Sequence, residues 1–344
     1  MKKSIWFFFT SFRRKPESSI FKALRTDWTP VFTGETAENQ FFHTFGERWG
    51  RSEVRNGLFL ILLFLSISSN AFGATFIDEV GHKVEVKTSP QRIISVAPSV
   101  TELLFAIGLG DRIVGVTTYC NYPPEALKKE KIGGYVTPSL EKIISLKPDL
   151  VIGTADGELK AFVKKLAGLG VPIYIINPRS IAGVMASIEN IGEITFSQKE
   201  AKGLGSFLRK KLQFIQEKIH GRTRLRVLHV MAYDPLITSG QGTFVNDLIT
   251  MAGGINIAEG AKGSHPRLSM EEVIVKDPQV ILLSSMKSRD PLIEQRQWWE
   301  RWKEVSAVRS RRIHVINADL IHRPSLRIVD GLEEIARAIH PEAF

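Results

Sequence analysis

Unbroken apolar runs alternate along this chain with stretches whose apolar residues recur at helical spacing, and that alternation predicts strands and helices in turn. The runs fall at residues 92–96, 113–116, 150–152, 172–176, 226–231, 280–282 and 313–316. Between them come a helix opened by Ser99, Val100, Thr101 and Glu102 as a capping box and stopped at Gly108 to Gly110, then helices over 137–148, 161–170 and 327–339. A further helix ends at Gly253 and Gly254, after a glycine turn at Gly240. Strands alternating with helices imply parallel sheets covered by helices, so the fold class is α/β. Residues 75–86 alternate polar and apolar instead and form an N-terminal strand segment, taken as 74–91. From Ser180 to His220 the strand signal vanishes: Ile181, Val184, Ile188 and Ile191 mark one helix, and Ser197 to Glu200 reads as a second capping box. The helix it opens runs to about Ile219 and is about 33 Å long, enough to span between lobes. The domains predicted are a first lobe at 92–179, linking helices at 180–221 and a second lobe at 222–344.

One pattern occurs twice. Ser139-Leu140-Glu141-Lys142-Ile143-Ile144, running on to Pro148 and Leu150-Val151-Ile152, aligns without gaps on Ser269-Met270-Glu271-Glu272-Val273-Ile274, Pro278 and Val280-Ile281-Leu282. In each copy the serine suits an N-cap, the acid suits the positive end of the helix dipole, and the proline stops the helix before a buried strand. Twin acids on twin lobes make a symmetric docking surface for a two-fold partner.

Composition adds a compartment. With 43% apolar and 24% charged residues the 344-residue chain is ordinary globular material, long enough for two domains. Residues 57–67, GLFLILLFLSI, match the apolar core of an export signal and are short for a membrane span. Cleavage is expected after Gly73 or after Ala71, and with no cysteine near the cut the product is not lipid-anchored. The 1–56 extension is unusual: residues 11–34 show neither period and resemble translated copies of repeats interspersed in bacterial genomes. The expected start is therefore Val54, with Arg55 as the basic flank of the signal. The formal charge of +10 invites a nucleic-acid reading, but residues 1–73 carry ten basic and six acidic residues, leaving +6 on the rest. That remainder is spread over helices and reads as a solvated face, so no nucleic acid is expected. A single cysteine, Cys120, excludes a disulfide framework and a multi-cysteine zinc site.

The runs RIISVAPSVTELLFAIGLGDRIVGVTTYCNYPP at 92–124, SLEKIISLKPDLVIG at 139–153 and NADLIHRPSLRIVDGLEEIARAIHP at 317–341 resemble the periplasmic iron-siderophore and cobalamin-binding proteins of ABC importers, with YCNYPP closest to the cobalamin branch. The resemblance implies two Rossmann-like lobes with parallel sheets joined by one long α-helix, the class III arrangement of periplasmic binding proteins, working as a monomer with ligand held between the lobes. It implies no cofactor, cobalamin or another corrinoid as transported ligand, and an ABC permease dimer with its ATPase subunits as partner. By position, Glu141 and Glu271 are the acids that dock on the permease.

A corrin ring offers a broad apolar face with amides around its rim, which calls for flat aromatic walls and a few hydrogen-bonding groups. Tyr119, Tyr122, Tyr135 and Tyr233 lie just after predicted strands or at helix entrances, where open α/β sheets bind ligands. The resemblance places Tyr135 and Tyr233 beside the ring, and Asp319 and Arg323 in a loop at the ligand's edge. The plain alternative for each tyrosine is core packing with a satisfied hydroxyl. His265 stands where cobalamin binders carry a tryptophan; it is an axial ligand, a hydrogen-bond donor or a solvated loop residue. Arg267 and Arg323 also suit an anionic ferric siderophore or haem, which is the alternative ligand class. Trp298, Trp299 and Trp302 read as helix packing. Enzyme readings find little support: no glycine-rich phosphate loop, no nucleophile elbow and no paired histidines at metal spacing. A chelatase-like activity would have only Asp319 with His322 or His265 as a titratable pair.

Overall fold

The computed structural model describes residues 74–155, 159–284 and 296–344. The start at Val54 and the export signal at 57–73 lie outside the described residues. No helix among the described residues is long and apolar enough to cross a membrane.

The described residues begin with an antiparallel hairpin, β1 (Ala74–Ile77) and β2 (Lys83–Val86), whose alternation turns Val84 and Val86 inward. The first lobe follows as β3 (Ile93–Ser95), α1 (Pro98–Ala106), β4 (Ile113–Val116), β5 (Glu130–Lys131), α2 (Leu140–Ser145), β6 (Leu150–Thr154), α3 (Leu159–Gly168) and β7 (Ile173–Ile176). Its five strands are all parallel, in the order β5-β4-β3-β6-β7. Two helices packed on one another come next, α4 (Ile181–Ile194) and α5 (Gln198–Ile219). The second lobe holds β8 (Leu225–Val230), a small hairpin of β9 (Ala232–Tyr233) and β10 (Leu236–Ile237), α6 (Phe244–Met251), β11 (Gly254–Asn256), α7 (Met270–Lys276), β12 (Val280–Leu283), β13 (Ile313–Val315), α8 (Ala318–Ile321) and α9 (Ile328–Ile339). Four of its strands form a parallel sheet, β11-β8-β12-β13.

Strand side chains alternate between faces, and here both faces are covered. In the first lobe Ile94, Val151, Ile173 and Ile175 pack with Ile143 of α2 and Leu166 of α3. In the second, Leu228, Ile281 and Leu283 pack around Trp299, which is fully buried, so the tryptophans do serve packing. The opposite faces meet in one continuous cluster: Ile93, Ile152 and Ile176 from the first sheet and Val227, Val280 and Leu282 from the second join through Ile188, Leu208, Ile215, Leu332 and Ile335. Each such side chain contributes roughly 1.5–3 kcal/mol when buried. Both lobes therefore share a core built on α4, α5 and α9, and Lys211 of α5 adds an ion pair to Glu333 of α9 at 2.9 Å.

The repeated pattern is a repeated structure. Ser139 accepts a hydrogen bond from Lys142 N at 3.3 Å and Ser269 one from Glu272 N at 3.2 Å, so both serines are N-caps. Only the second copy closes a full capping box, with Glu272 accepting from Ser269 N. Both helices end on a left-handed residue, Lys147 (φ 46°) and Asp277 (φ 41°), immediately before the proline. In both, an arginine from the neighbouring strand region donates to the freed carbonyls: Arg92 Nε to Leu146 O and Arg226 Nε to Lys276 O, each at 3.0 Å. Neither arginine was part of the aligned pattern.

Two other expected capping boxes do not form. The N-cap of α1 is Ala97, with Pro98 in the first turn where a missing N–H costs nothing, and Glu102 is buried with its carboxylate turned to the other lobe. Ser197 heads α5 without a side-chain cap, its hydroxyl instead donating to Thr195 O at 3.3 Å.

Candidate functional site

In parallel sheets every strand ends on the same edge, and the residues that follow those ends are free to vary without disturbing the core. The first lobe brings to that edge the loop after β4, with Tyr119, Asn121 and Tyr122, and the end of β6, where Thr154 Oγ1 lies 2.9 Å from Tyr135 Oη. The second brings Met231 and Tyr233 after β8, Ser284 after β12, and Asp319, His322 and Arg323 after β13. The two edges meet at Glu102.

The Glu102 carboxylate, fully buried on α1, takes a bidentate pair from Arg327 of the second lobe, Nη2 to Oε1 at 2.6 Å and Nε to Oε2 at 2.9 Å. Ser325 Oγ donates to Oε2 as well, and Arg323 Nη1 reaches Oε1 at 3.2 Å. Arg323 continues the network to Asn121 Oδ1 at 2.8 Å and to Asp319 at 2.9 Å. The Arg327 guanidinium lies 4.0 Å from the Tyr122 ring centroid, a cation–π contact. Two acids thus balance two arginines. Burial opposes the Arg327 charge, but the Glu102 hydrogen bonds more than compensate and raise its pKa. Burial lifts the Tyr122 phenol above its ordinary range.

Behind this network runs a chain of neutral polar groups. His229, wholly buried at the end of β8, has Nδ1 2.9 Å from Ser239 Oγ and Nε2 2.7 Å from Ser284 Oγ, and Ser284 Oγ is 3.1 Å from His322 Nε2. Burial, then His322 and His265, hold the His229 imidazole well below its ordinary pKa. His322 is lowered to about 4, by burial first and then by His265, with Asp319 pulling the other way. Both rings are neutral at neutral pH. No group of three or more His, Cys, Asp or Glu among the described residues is placed to hold a metal ion.

The expected site residues divide. Tyr122, Asp319 and Arg323 come together in the network across the two lobes. His265 is exposed but close enough to act on both buried histidines. Tyr135 is half-buried and bonded to Thr154 on its own lobe. Tyr233 leans on Trp298 with centroids 5.6 Å apart, so ring and indole form one aromatic surface. Tyr119 is 62% exposed and touches none of these groups. Arg267 is exposed too, on a strip that bridges Ile237. Glu141 and Glu271 stand exposed in the first turns of α2 and α7, and hydrogen bonds at the helix start lower the Glu271 pKa. Sequence reasoning missed Glu102, Ser284, His229 and Arg327. The available signal was a lone acid inside the apolar helix VTELLFAI and a histidine inside the strand LHVM.

Two helix-covered parallel sheets on a common helical spine, with charged and polar groups where their carboxyl edges meet, define a two-lobed ligand-binding protein of the class III kind. The chain belongs to the periplasmic binding protein family, whose model matches residues 93–320. It is 32% identical over 246 residues to the vitamin B12-binding protein of Vibrio cholerae, covering 71% of this chain and 87% of that protein. To the ABC transporter substrate-binding lipoprotein YvrC of Bacillus subtilis it is 33% identical over 284 residues, covering 80% and 88%. The crystal structure of the periplasmic vitamin B12-binding protein BtuF of Vibrio cholerae superposes with a TM-score of 0.65 at 31% identity, covering 74% of this chain and 98% of that one. The periplasmic haem-binding protein RhuT of Roseiflexus gives 0.65 at 25% identity, covering 74% and 99%. The chain is a substrate-binding protein of an ABC importer and not an enzyme.

Proposed function

We propose that this protein captures a corrinoid between its lobes and delivers it to an inner-membrane ABC permease. The observation that carries the ligand class is the balanced network: among the described residues, Arg323 and Arg327 at the lobe junction are matched by Glu102 and Asp319. A haem or ferric siderophore bearing carboxylates needs uncompensated positive charge there, and a neutral ligand with a rim of amides does not. Arg323 keeps an Nε–H, and Asp319 keeps acceptor lone pairs, for amide groups. Tyr122, Tyr135 and the Tyr233–Trp298 surface supply apolar walls. The kinship to vitamin B12-binding relatives points the same way. The protein works as a monomer in the periplasm, exported by a cleaved signal and free of a lipid anchor, although one relative is a lipoprotein.

Glu141 and Glu271 dock the loaded protein on the permease. Each helix runs back against the strand that follows it, so its N-terminus and its acid lie at the level of the strands' carboxyl ends, on the rim of the binding junction. Changing both, Glu141→Ala with Glu271→Ala, is expected to leave corrinoid affinity unchanged and abolish corrinoid-dependent growth of cells that rely on this importer. Loss of affinity in the double variant would move those acids into the binding site and contradict the assignment.

A further inference from the structure

We propose that His322 is a specificity-determining residue that meets the ligand as a bare hydrogen-bond acceptor, with its tautomer imposed by the buried chain through Ser284 and His229. The ligand group it selects is an amide N–H, and the group it rejects is a carboxylate. This deepens the corrinoid reading above and rests on it for the ligand.

Ser239, His229, Ser284 and His322 are linked in series by contacts of 2.9, 2.7 and 3.1 Å. Each hydroxyl has one proton to donate, and each neutral imidazole carries one N–H and one lone pair. Three polarisations satisfy every link, one of them with Ser284 Oγ accepting from His229 Nε2 and His322 Nε2 together while Ser239 donates to His229 Nδ1; the other two run in one direction along the chain. In the first of these two, His229 donates from Nδ1 to Ser239, Ser284 donates to His229 Nε2, and His322 donates from Nε2 to Ser284, which leaves His322 Nδ1 as a lone pair. In the second all three bonds are reversed and His322 Nδ1 carries a proton.

Two observations select the first. Ser239 Oγ also lies 3.7 Å from Met231 Sδ, a contact in which only the hydroxyl can donate, so its proton is engaged and His229 Nδ1 must be the donor to Ser239. The spacing agrees: the short 2.7 Å link is where Ser284 donates its O–H, and the links of 2.9 and 3.1 Å are where ring N–H groups donate. Among the described residues the buried side-chain atoms without a partner are Thr238 Oγ1, Trp299 Nε1, Trp302 Nε1 and His314 Nε2. His322 Nδ1 meets no partner either and is not one of these, so it opens to solvent, on the residue next to Arg323 at the junction of the lobes. The groups that bear on the ring are His229, His265 and Asp319, and none of them supplies a proton to it. A lone pair there attracts the amide hydrogens of a corrin rim and repels a carboxylate.

The test reads the tautomer and the ligand separately. In the ligand-free protein labelled with nitrogen-15 histidine, two-bond couplings at neutral pH are expected to show His322 protonated at Nε2 and bare at Nδ1, with His229 the reverse. A proton on His322 Nδ1 would overturn the proposal. Titration of the same protein with cyanocobalamin, and with the corrinoid whose rim amides are hydrolysed to carboxylates, is expected to favour the amide form. His322→Phe keeps a ring and removes the lone pair, and should weaken the amide form roughly tenfold while strengthening the carboxylate form. Ser284→Ala frees the tautomer without touching His322, and should narrow the preference between the two ligands. Equal binding of both ligands by the unaltered protein, or an unchanged preference in both variants, overturns the proposal. Absence of binding to either corrinoid instead overturns the functional reading and the ligand half of the proposal with it, while the couplings still decide the relay.

Discussion

Glu102 shows how much a single buried charge commits the rest of the chain. Its carboxylate is fully enclosed and takes hydrogen bonds from Arg327, Arg323 and Ser325, all from the other lobe. Removing one partner of such a pair leaves the others charged and desolvated, which costs more than the pair itself contributes. Glu102→Ala is therefore expected to lower unfolding stability by about 3–5 kcal/mol, read as a shift of the urea midpoint at constant slope. An unchanged midpoint would mean that the lobes do not meet through this residue. The histidines give a second residue-scale expectation. His322 is held at about 4 and His229 well below its ordinary range, against a value near 6.5 in the unfolded chain. Below 6.5 the unfolded chain binds protons that the folded chain refuses, so stability is complete above that pH and falls as acid is added. For His322 the loss runs from pH 6.5 to about 4 and amounts to about 3 kcal/mol. Melting temperature followed across that window should slope downward toward acid, and His322→Asn should flatten part of the slope. A variant profile parallel to the parent would remove His322 from the account.

At the scale of elements, the duplicated helix, turn and strand was the most legible feature of the sequence, because each part has a local physical signal. A serine caps, a proline stops, and an apolar run follows. The structure adds what local reading does not carry: the matched arginines, Arg92 and Arg226, come from strand regions far back in the chain and seal the helix ends. The same distance explains the two capping boxes that failed. In SVTE the glutamate has the spacing of a box, but its partners lie more than two hundred residues ahead, and a bidentate arginine outweighs a backbone N–H. The box at Ser269 is real and reciprocal, so Ser269→Ala is expected to cost about 1 kcal/mol in a denaturation series. A neutral result would imply that α7 is held by Val273 and Arg226 alone.

For the whole molecule, the alternation of strand and helix specified two parallel sheets, and the gap in strand signal between Ser180 and His220 specified the helices between them. What the pattern did not show is that one apolar cluster passes from sheet to sheet through α4, α5 and α9. Opening the lobes would expose that cluster and separate Glu102 from its arginines, so ligand entry is expected to involve small lobe movement. The candidate site was legible only as strand ends, aromatic residues and an acidic pair; the charge balance that narrows the ligand exists only once distant residues meet. The central claim is that this junction accepts a neutral corrinoid in preference to an anionic iron ligand. Isothermal titration of the purified protein with cyanocobalamin, haem and an anionic ferric tricatecholate in parallel tests it most directly. The account expects saturable one-to-one binding of cyanocobalamin alone, whereas binding of haem or the tricatecholate with no response to cyanocobalamin would contradict it.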